Sequence, residues 1–276
     1  MSKVDISYAS KTEHNFAQRL LIKTIEQLTG KRKLQKIYNE YNKNNTDPRF
    51  FWSGILESMN IKIIDNSING IHIPKAGPLL MIANHPFGII DGLAMCALAS
   101  KARSDFKILT HETLQFTPEL NKYILPIDFN ENSQDTVRKN IKTTQEAKQH
   151  LLNQGLLIIF PSGSVSIAKN LKTEARDDKW KNFTAKLIKQ TKTNVLPVYF
   201  DGKNGILFHL FASKLKNQTL KYSSYIHETK KMIGKNIHIY PGEVITFNQL
   251  SQYKDREELT AYLKEKTYEL KTKLYE

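Results

Sequence analysis

The stretch Leu79-Leu80-Met81-Ile82-Ala83-Asn84-His85-Pro86-Phe87-Gly88-Ile89-Ile90-Asp91-Gly92-Leu93-Ala94 decides how this chain is read. The apolar run Leu79 to Ala83 has the character of a buried strand, and it stops abruptly at Asn84-His85-Pro86. Pro86 and Gly88 are turn residues, and a second apolar segment opens just after Asp91. A strand, a polar loop and a helix start put an imidazole and a carboxylate at the carboxyl end of a strand, where open α/β sheets hold their ligands. Histidine titrates near neutral pH and can take a proton from a hydroxyl once a carboxylate fixes its tautomer. His85 and Asp91 are therefore the candidate general base and its orienting partner. One His and one Asp six positions apart also arise by chance, so the rest of the chain has to support the pair.

Working outward, short apolar runs alternate with helical spacing. The expected strands are Ile61–Ile64, Gly70–Ile73, Leu79–Ala83, Phe106–Leu109, Ile124–Ile127, Leu156–Phe160, Val195–Phe200 and Ile237–Tyr240. Between them, Val137, Ile141, Thr144, Ala147 and Leu151 share one helical face, ended by Gly155. Trp180, Phe183, Leu187 and Ile188 mark another helix, and Leu259, Leu263, Leu270 and Leu274 a long charged one at the end. This alternation predicts an α/β fold with a mixed, largely parallel sheet covered by helices on both faces. Residues 1–60 read as an N-terminal helical extension: Phe16, Leu20, Thr24 and Leu28 recur at helical spacing, Gly30 stops them, and a second segment carries Leu34, Ile37, Tyr38 and Tyr41. Phe50-Phe51-Trp52 with Ile55, Leu56 and Met59 predict a short aromatic helix after Pro48, its aromatic cluster in the core. Residues 61–276 form the main domain, continuous with the extension.

Three expected strands end in polar, small-residue loops: Ala83 at Asn84-His85, Phe160 at Pro161-Ser162-Gly163-Ser164, and Phe200 at Asp201-Gly202. In a parallel sheet these loops share one edge and can line one cleft.

The 276 residues suffice for a sizeable core, and 41 Lys+Arg against 27 Asp+Glu leave a formal net charge of +14. Such a field attracts polyanions: nucleic acid, anionic membrane, or acidic substrates and carriers. The chain lacks zinc-ligand cysteines, an RNA-binding aromatic motif and a plain helix-turn-helix, so no nucleic-acid partner is expected. The single cysteine, Cys96, lies in an apolar segment and suits a reducing compartment. No signal peptide and no run of about 18 apolar residues is present. The expected location is the cytoplasm or the cytoplasmic face of a membrane, with peripheral contact only. His85, His111 and His150 show no metal-ligand spacing, so no metal is expected.

Asn84-His85-Pro86-Phe87-Gly88-Ile89-Ile90-Asp91-Gly92 resembles the first motif of the glycerolipid and lysophospholipid acyltransferase superfamily, the lysophosphatidic acid acyltransferase-like proteins. Most members space His and Asp by four residues; the five here match the hemolysin-like and ornithine-lipid branch, His-Pro-x-Gly-x-x-Asp. Phe160-Pro161-Ser162-Gly163-Ser164 is similar to the third motif, Phe-Pro-Glu-Gly-Thr, and Leu196-Pro197-Val198 with Asp201-Gly202 to the fourth. The resemblance implies an acyltransferase without cofactor, using an acyl thioester of coenzyme A or acyl-carrier protein as co-substrate and a lysophospholipid or similar lipid as acceptor. It implies His85 and Asp91 as catalytic residues, and Asn84, Pro86, Gly88, Phe160, Pro161, Ser162, Gly163, Ser164 and Pro197 as substrate-binding. Two departures bear on the acceptor. Ser162 stands where the family has glutamate, and no arginine marks the second motif, leaving Lys107, Lys122 and Arg138 as alternatives for a phosphate contact.

An alcohol is a poor nucleophile at neutral pH, so acyl transfer needs a base at its oxygen. His85 fills that role, and Asp91 holds the ring as in a Ser-His-Asp triad. With no Gly-x-Ser-x-Gly elbow, direct transfer without a covalent acyl-enzyme is expected, with backbone N–H groups of Gly163 and Ser164 as candidate oxyanion donors. The alternatives are N-acylation of an amino acid, as in ornithine-lipid synthesis, and a non-catalytic basic protein that binds membrane or nucleic acid.

Overall fold

Residues 16–44, 47–111, 118–127, 134–169, 173–214 and 218–272 are described by the computed structural model. Seven strands form one sheet: β1 (Lys62–Asp65), β2 (Leu79–Ala83), β3 (Phe106–His111), β4 (Ile124–Ile127), β5 (Leu156–Ile159), β6 (Asn194–Asp201) and β7 (Asn236–Pro241). Their order is β1-β7-β6-β2-β5-β3-β4. All neighbours run parallel except β6 and β7, which pair antiparallel from Val198↔Pro241 to Asp201↔His238. The expected mixed, largely parallel sheet is what the structure shows.

The helices are α1 (Phe16–Thr29), α2 (Lys31–Asn44), α3 (Phe51–Ser58), α4 (Ile89–Ala102), α5 (Pro118–Asn121) and α6 (Gln134–Leu152). They continue with α7 (Phe183–Thr191), α8 (Ile206–His209), α9 (Gln218–Lys231), α10 (Phe247–Leu250) and α11 (Arg256–Glu269). Every residue of β2 and β5 is buried, as expected of central parallel strands with both faces covered. Side chains alternate across a strand, so Leu79, Met81 and Ala83 join one apolar cluster with α3, α4 and the N-terminal helices. Leu80 and Ile82 join the other, with Ala147 and Leu151 of α6, Leu187 and Ile188 of α7, and Leu259 and Leu263 of α11. The N-terminal helices α1 and α2 lie against α9, and α3 packs on α4.

Three expectations are corrected. Gly70–Ile73 is not a strand: Asp65 folds the segment back, one carboxylate oxygen accepting from the Ser67 N–H and the other from the Ile71 N–H at 2.9 and 2.6 Å. Trp180 lies ahead of the helix assigned to it, which starts at Phe183. Of the aromatic cluster, Phe51 and Trp52 are buried but Phe50 is 60 % exposed. The helix expected from Phe16 is α1; among its described side chains Ile22 and Glu26 are buried, while Phe16 and Leu20 are exposed. Leu274, expected on the last helix, lies outside the described residues.

β6, β2 and β5 are adjacent and parallel. The loops that leave Ala83, Ile159 and Asp201 therefore emerge at one edge of the sheet, and they bring three separate sequence motifs together.

Candidate active site

β2 ends at Ala83; Pro86 has no N–H to continue a ladder and keeps the residue before it out of a helix, so the main chain of Asn84 and His85 lies in neither strand nor helix. Its polar groups need partners from elsewhere. The buried Asn84 side chain supplies a false rung of ladder: Nδ2 donates to the Phe200 carbonyl at 2.9 Å, and the Phe200 N–H donates to Oδ1 at 2.7 Å. The His85 N–H donates to Asp177 Oδ1 at 3.2 Å, and the His85 carbonyl accepts from the Ser166 N–H at 2.8 Å.

Gly88 then turns the chain into α4 with φ +75° and ψ −115°, a conformation side chains rarely adopt. A Cβ there would sit 3.3 Å from Val165 Cγ2. The turn leaves the Phe87 and Gly88 N–H groups pointing at the first turn of α4, where Asp91 Oδ2 accepts both at 2.8 and 3.0 Å. A carboxylate in the first turn also suits the helix dipole. Asp91 is thus a local cap, and the same oxygen reaches His85 Nδ1 at 3.0 Å.

The Asp91 side chain is 0 % exposed and that of His85 18 %. Burial raises the Asp91 pKa, opposed by the hydrogen bonds from His85, Phe87 and Gly88. A carboxylate only accepts, so Nδ1 carries the ring proton and Nε2 keeps its lone pair. The Phe160 ring stacks on the imidazole at 4.0 Å between centroids, with the planes 23° apart. The ring is fixed on its face, its Nδ1 edge and its main chain. That arrangement suits a general base.

The structure distributes the other sequence-derived site residues unevenly. Phe160, Gly163 and Ser164 are partly exposed, whereas Pro86, Gly88, Pro161, Ser162 and Pro197 are buried. Ser162 Oγ donates to the Ser164 carbonyl at 2.7 Å, the behaviour of a strand-exit turn. The N–H groups of Gly163 and Ser164, expected as oxyanion donors, are taken up inside that turn by the Phe160 carbonyl at 3.0 Å and Ser162 Oγ at 3.3 Å. Pro197 sits within β6 opposite Ile82. Lys107 lies on β3, Lys122 stacks over Tyr123 at 4.9 Å, and Arg138 is exposed on α6.

Sequence reasoning missed Asp177 and the partnership of Asn84 with Phe200. It also missed a small apolar pocket, open to solvent, between α2, α3, α4 and α9. Leu34, Tyr38, Ile55, Ile89, Leu93 and Ile226 line it, with Thr229 the polar contribution from α9. Ile89 and Leu93 belong to the same opening turns of α4 as Asp91.

The sequence profile of the family described as Acyltransferase matches residues 6–276. Two relatives are both lyso-glycine lipid O-acyltransferases. The one from Bacteroides thetaiotaomicron is 27 % identical over 227 residues, covering 80 % of this chain and 79 % of that protein. The one from Phocaeicola vulgatus is 22 % identical over 278 residues, covering 97 % and 95 %. The crystal structure of the Thermotoga maritima 1-acyl-sn-glycerophosphate acyltransferase is also similar, with a TM-score of 0.48 and 14 % identity, covering 92 % of this chain and 95 % of that one. The family match bears out the resemblance drawn from the three motifs.

Proposed function

This chain belongs to the acyltransferase family, and we propose that it esterifies a hydroxyl of a single-chain lipid with the fatty acyl group of an acyl thioester. The observation that supports this most is the 3.0 Å bond from His85 Nδ1 to a fully buried Asp91, which leaves Nε2 as the base. In the proposed reaction Nε2 takes the acceptor's hydroxyl proton while its oxygen attacks the thioester carbonyl carbon. The new C–O bond forms, the C–S bond breaks, and the proton held on His85 passes to the departing sulfur. Asp91 stabilises the imidazolium in between. No acyl-enzyme is needed.

The relatives' names specify a glycine lipid as acceptor and oxygen as the atom acylated. We carry that class over: a lyso-lipid with an amino-acid head group and a free hydroxyl. The missing second-motif arginine fits an acceptor without a phosphate to bind. N-acylation of an amine could use the same base, but the O-acyl chemistry of both relatives favours the hydroxyl. The α2–α3–α4–α9 pocket is apolar and opens to solvent, and in this reading it takes part of a hydrocarbon chain. The net charge of +14 suits an anionic bilayer and an acidic donor carrier alike. Phe16 and Ile206, 83 % and 61 % exposed, offer apolar side chains for peripheral docking. No described helix is long and apolar enough to cross a membrane.

Purified protein supplied with labelled acyl-coenzyme A or acyl-carrier protein tests this, with lyso-glycine lipid, lysophosphatidic acid or free ornithine as acceptors in separate arms. An ester of a lyso-lipid is the expected product. An amide alone, or no transfer from either donor, overturns the reading.

A further inference from the structure

Asp177 lies 92 positions from His85, in the charged run Arg176-Asp177-Asp178-Lys179, yet its side chain is buried against the catalytic loop. Its Oδ1 accepts from the His85 N–H at 3.2 Å and from the Ser166 hydroxyl, and its Oδ2 accepts from Trp180 Nε1 at 2.7 Å. Its own N–H donates to the Tyr268 hydroxyl at 2.8 Å, and its carbonyl accepts from Lys264 Nζ at 2.8 Å. The residue is therefore tied on one side to α11 and on the other to the main chain of His85. Ser166 completes the grip, because its N–H donates to the His85 carbonyl while its hydroxyl holds Asp177.

A buried carboxylate is costly unless it is fully hydrogen-bonded. Burial raises the Asp177 pKa, and the bonds from Ser166, Trp180 and His85 oppose that rise. An amide in its place would turn a donor towards either Trp180 Nε1 or the His85 N–H, so only a carboxylate satisfies the donors on both oxygens. What the carboxylate does here is accept three donors at one point and present a second negative charge to the segment that becomes positive in the transition state.

We infer that Asp177 is a positioning residue for the reaction: with Ser166 it fixes the main chain of His85, so that the ring held by Asp91 meets the acceptor at one depth and angle. This rests on the proposed role of His85 as base. A misplacement of about 1 Å at a reacting group can lower turnover by about a hundredfold.

The test is the near-isosteric Asp177→Leu in the full chain, measured for transfer kinetics and for amide hydrogen exchange across Asn84 to Phe87. We expect kcat to fall about thirtyfold or more, with KM within about threefold of wild type. Exchange at the His85 amide should quicken at least tenfold. Unchanged kcat, or a loss confined to KM, overturns the assignment even if wild type is active; unchanged exchange overturns it even if wild type shows no transfer, which counts only against the function. Should Asp177→Leu not fold, Ser166→Ala decides. It removes only the hydroxyl that pins Oδ1 beside the His85 N–H, and it must lower kcat at least threefold at constant KM and quicken that exchange. No change in either sinks the proposal.

Discussion

Asn84 and Phe200, 116 positions apart, exchange two hydrogen bonds through the Asn84 side chain, 2.9 and 2.7 Å long. They extend the β2–β6 pairing, which ends at Ala83↔Val198, by one rung beyond the strand. The first motif is thereby locked to the strand that carries the fourth. Replacing Asn84 by Ala leaves a buried N–H and a buried carbonyl unpaired and should cost about 2–4 kcal/mol of stability. Denaturant unfolding measures it. A loss under about 0.5 kcal/mol would show that the rung is dispensable.

Asp91→Asn should separate activity from stability. In the folded protein burial raises the Asp91 pKa above its unfolded value. Its favourable contribution is therefore full below the unfolded pKa and is lost as pH rises through the folded one, so the ionised group is a liability at neutral pH. The amide keeps an acceptor for Phe87 and Gly88 but cannot hold an imidazolium. Transfer should fall by about 10³–10⁴-fold, by analogy with the carboxylate of the Ser-His-Asp triad. The thermal midpoint at neutral pH should hold within a few degrees or rise. A large drop in midpoint with activity retained would make Asp91 a helix cap and nothing more.

Gly88→Ala tests the turn that aims two N–H groups at Asp91. At φ +75° and ψ −115° a Cβ is strained and faces Val165 at 3.3 Å. Strain of about 1–3 kcal/mol is expected, with a fall in kcat because the bonds from Phe87 and Gly88 to Asp91 must move. Wild-type stability and turnover together would show that the loop has another conformation to use.

Bulk added to the apolar pocket should change which acyl chains are accepted. Ile55 is buried and lines it, and Ile55→Trp should shift preference towards shorter chains at a stability cost of about 1–3 kcal/mol. Competition between acyl thioesters of different length reads this directly. An unaltered preference in a folded variant would place the chain elsewhere.

The sheet was legible because central parallel strands are buried on both faces, so Leu79–Ala83 and Leu156–Ile159 are unbroken apolar runs. The His85–Asp91 pair was legible because both residues lie in one loop. Gly70–Ile73 misled because Ile71 and Ile73 alternate as in a strand, while the deciding contacts come from Asp65, which draws the segment into a loop. The apolar spacing on α1 was real, but Phe16 and Leu20 have no covering layer among the described residues. Asp177 was not legible at all. Its neighbours Arg176, Asp178 and Lys179 mark a solvated charge run, and only tertiary contact with His85 and Trp180 sets it apart. Gly163 and Ser164 carried the right residue types for oxyanion donors, but turn hydrogen bonds take up their N–H groups, and pattern alone does not reveal that.

The central claim is that one imidazole nitrogen, Nε2 of His85, removes the acceptor's proton. Single-turnover transfer from a labelled acyl thioester to a lyso-lipid, compared between wild type and a folded His85→Gln variant, tests it most directly. A loss of about a thousandfold in the transfer rate, with acceptor binding retained, is the predicted result. Transfer at the wild-type rate without the imidazole would contradict it.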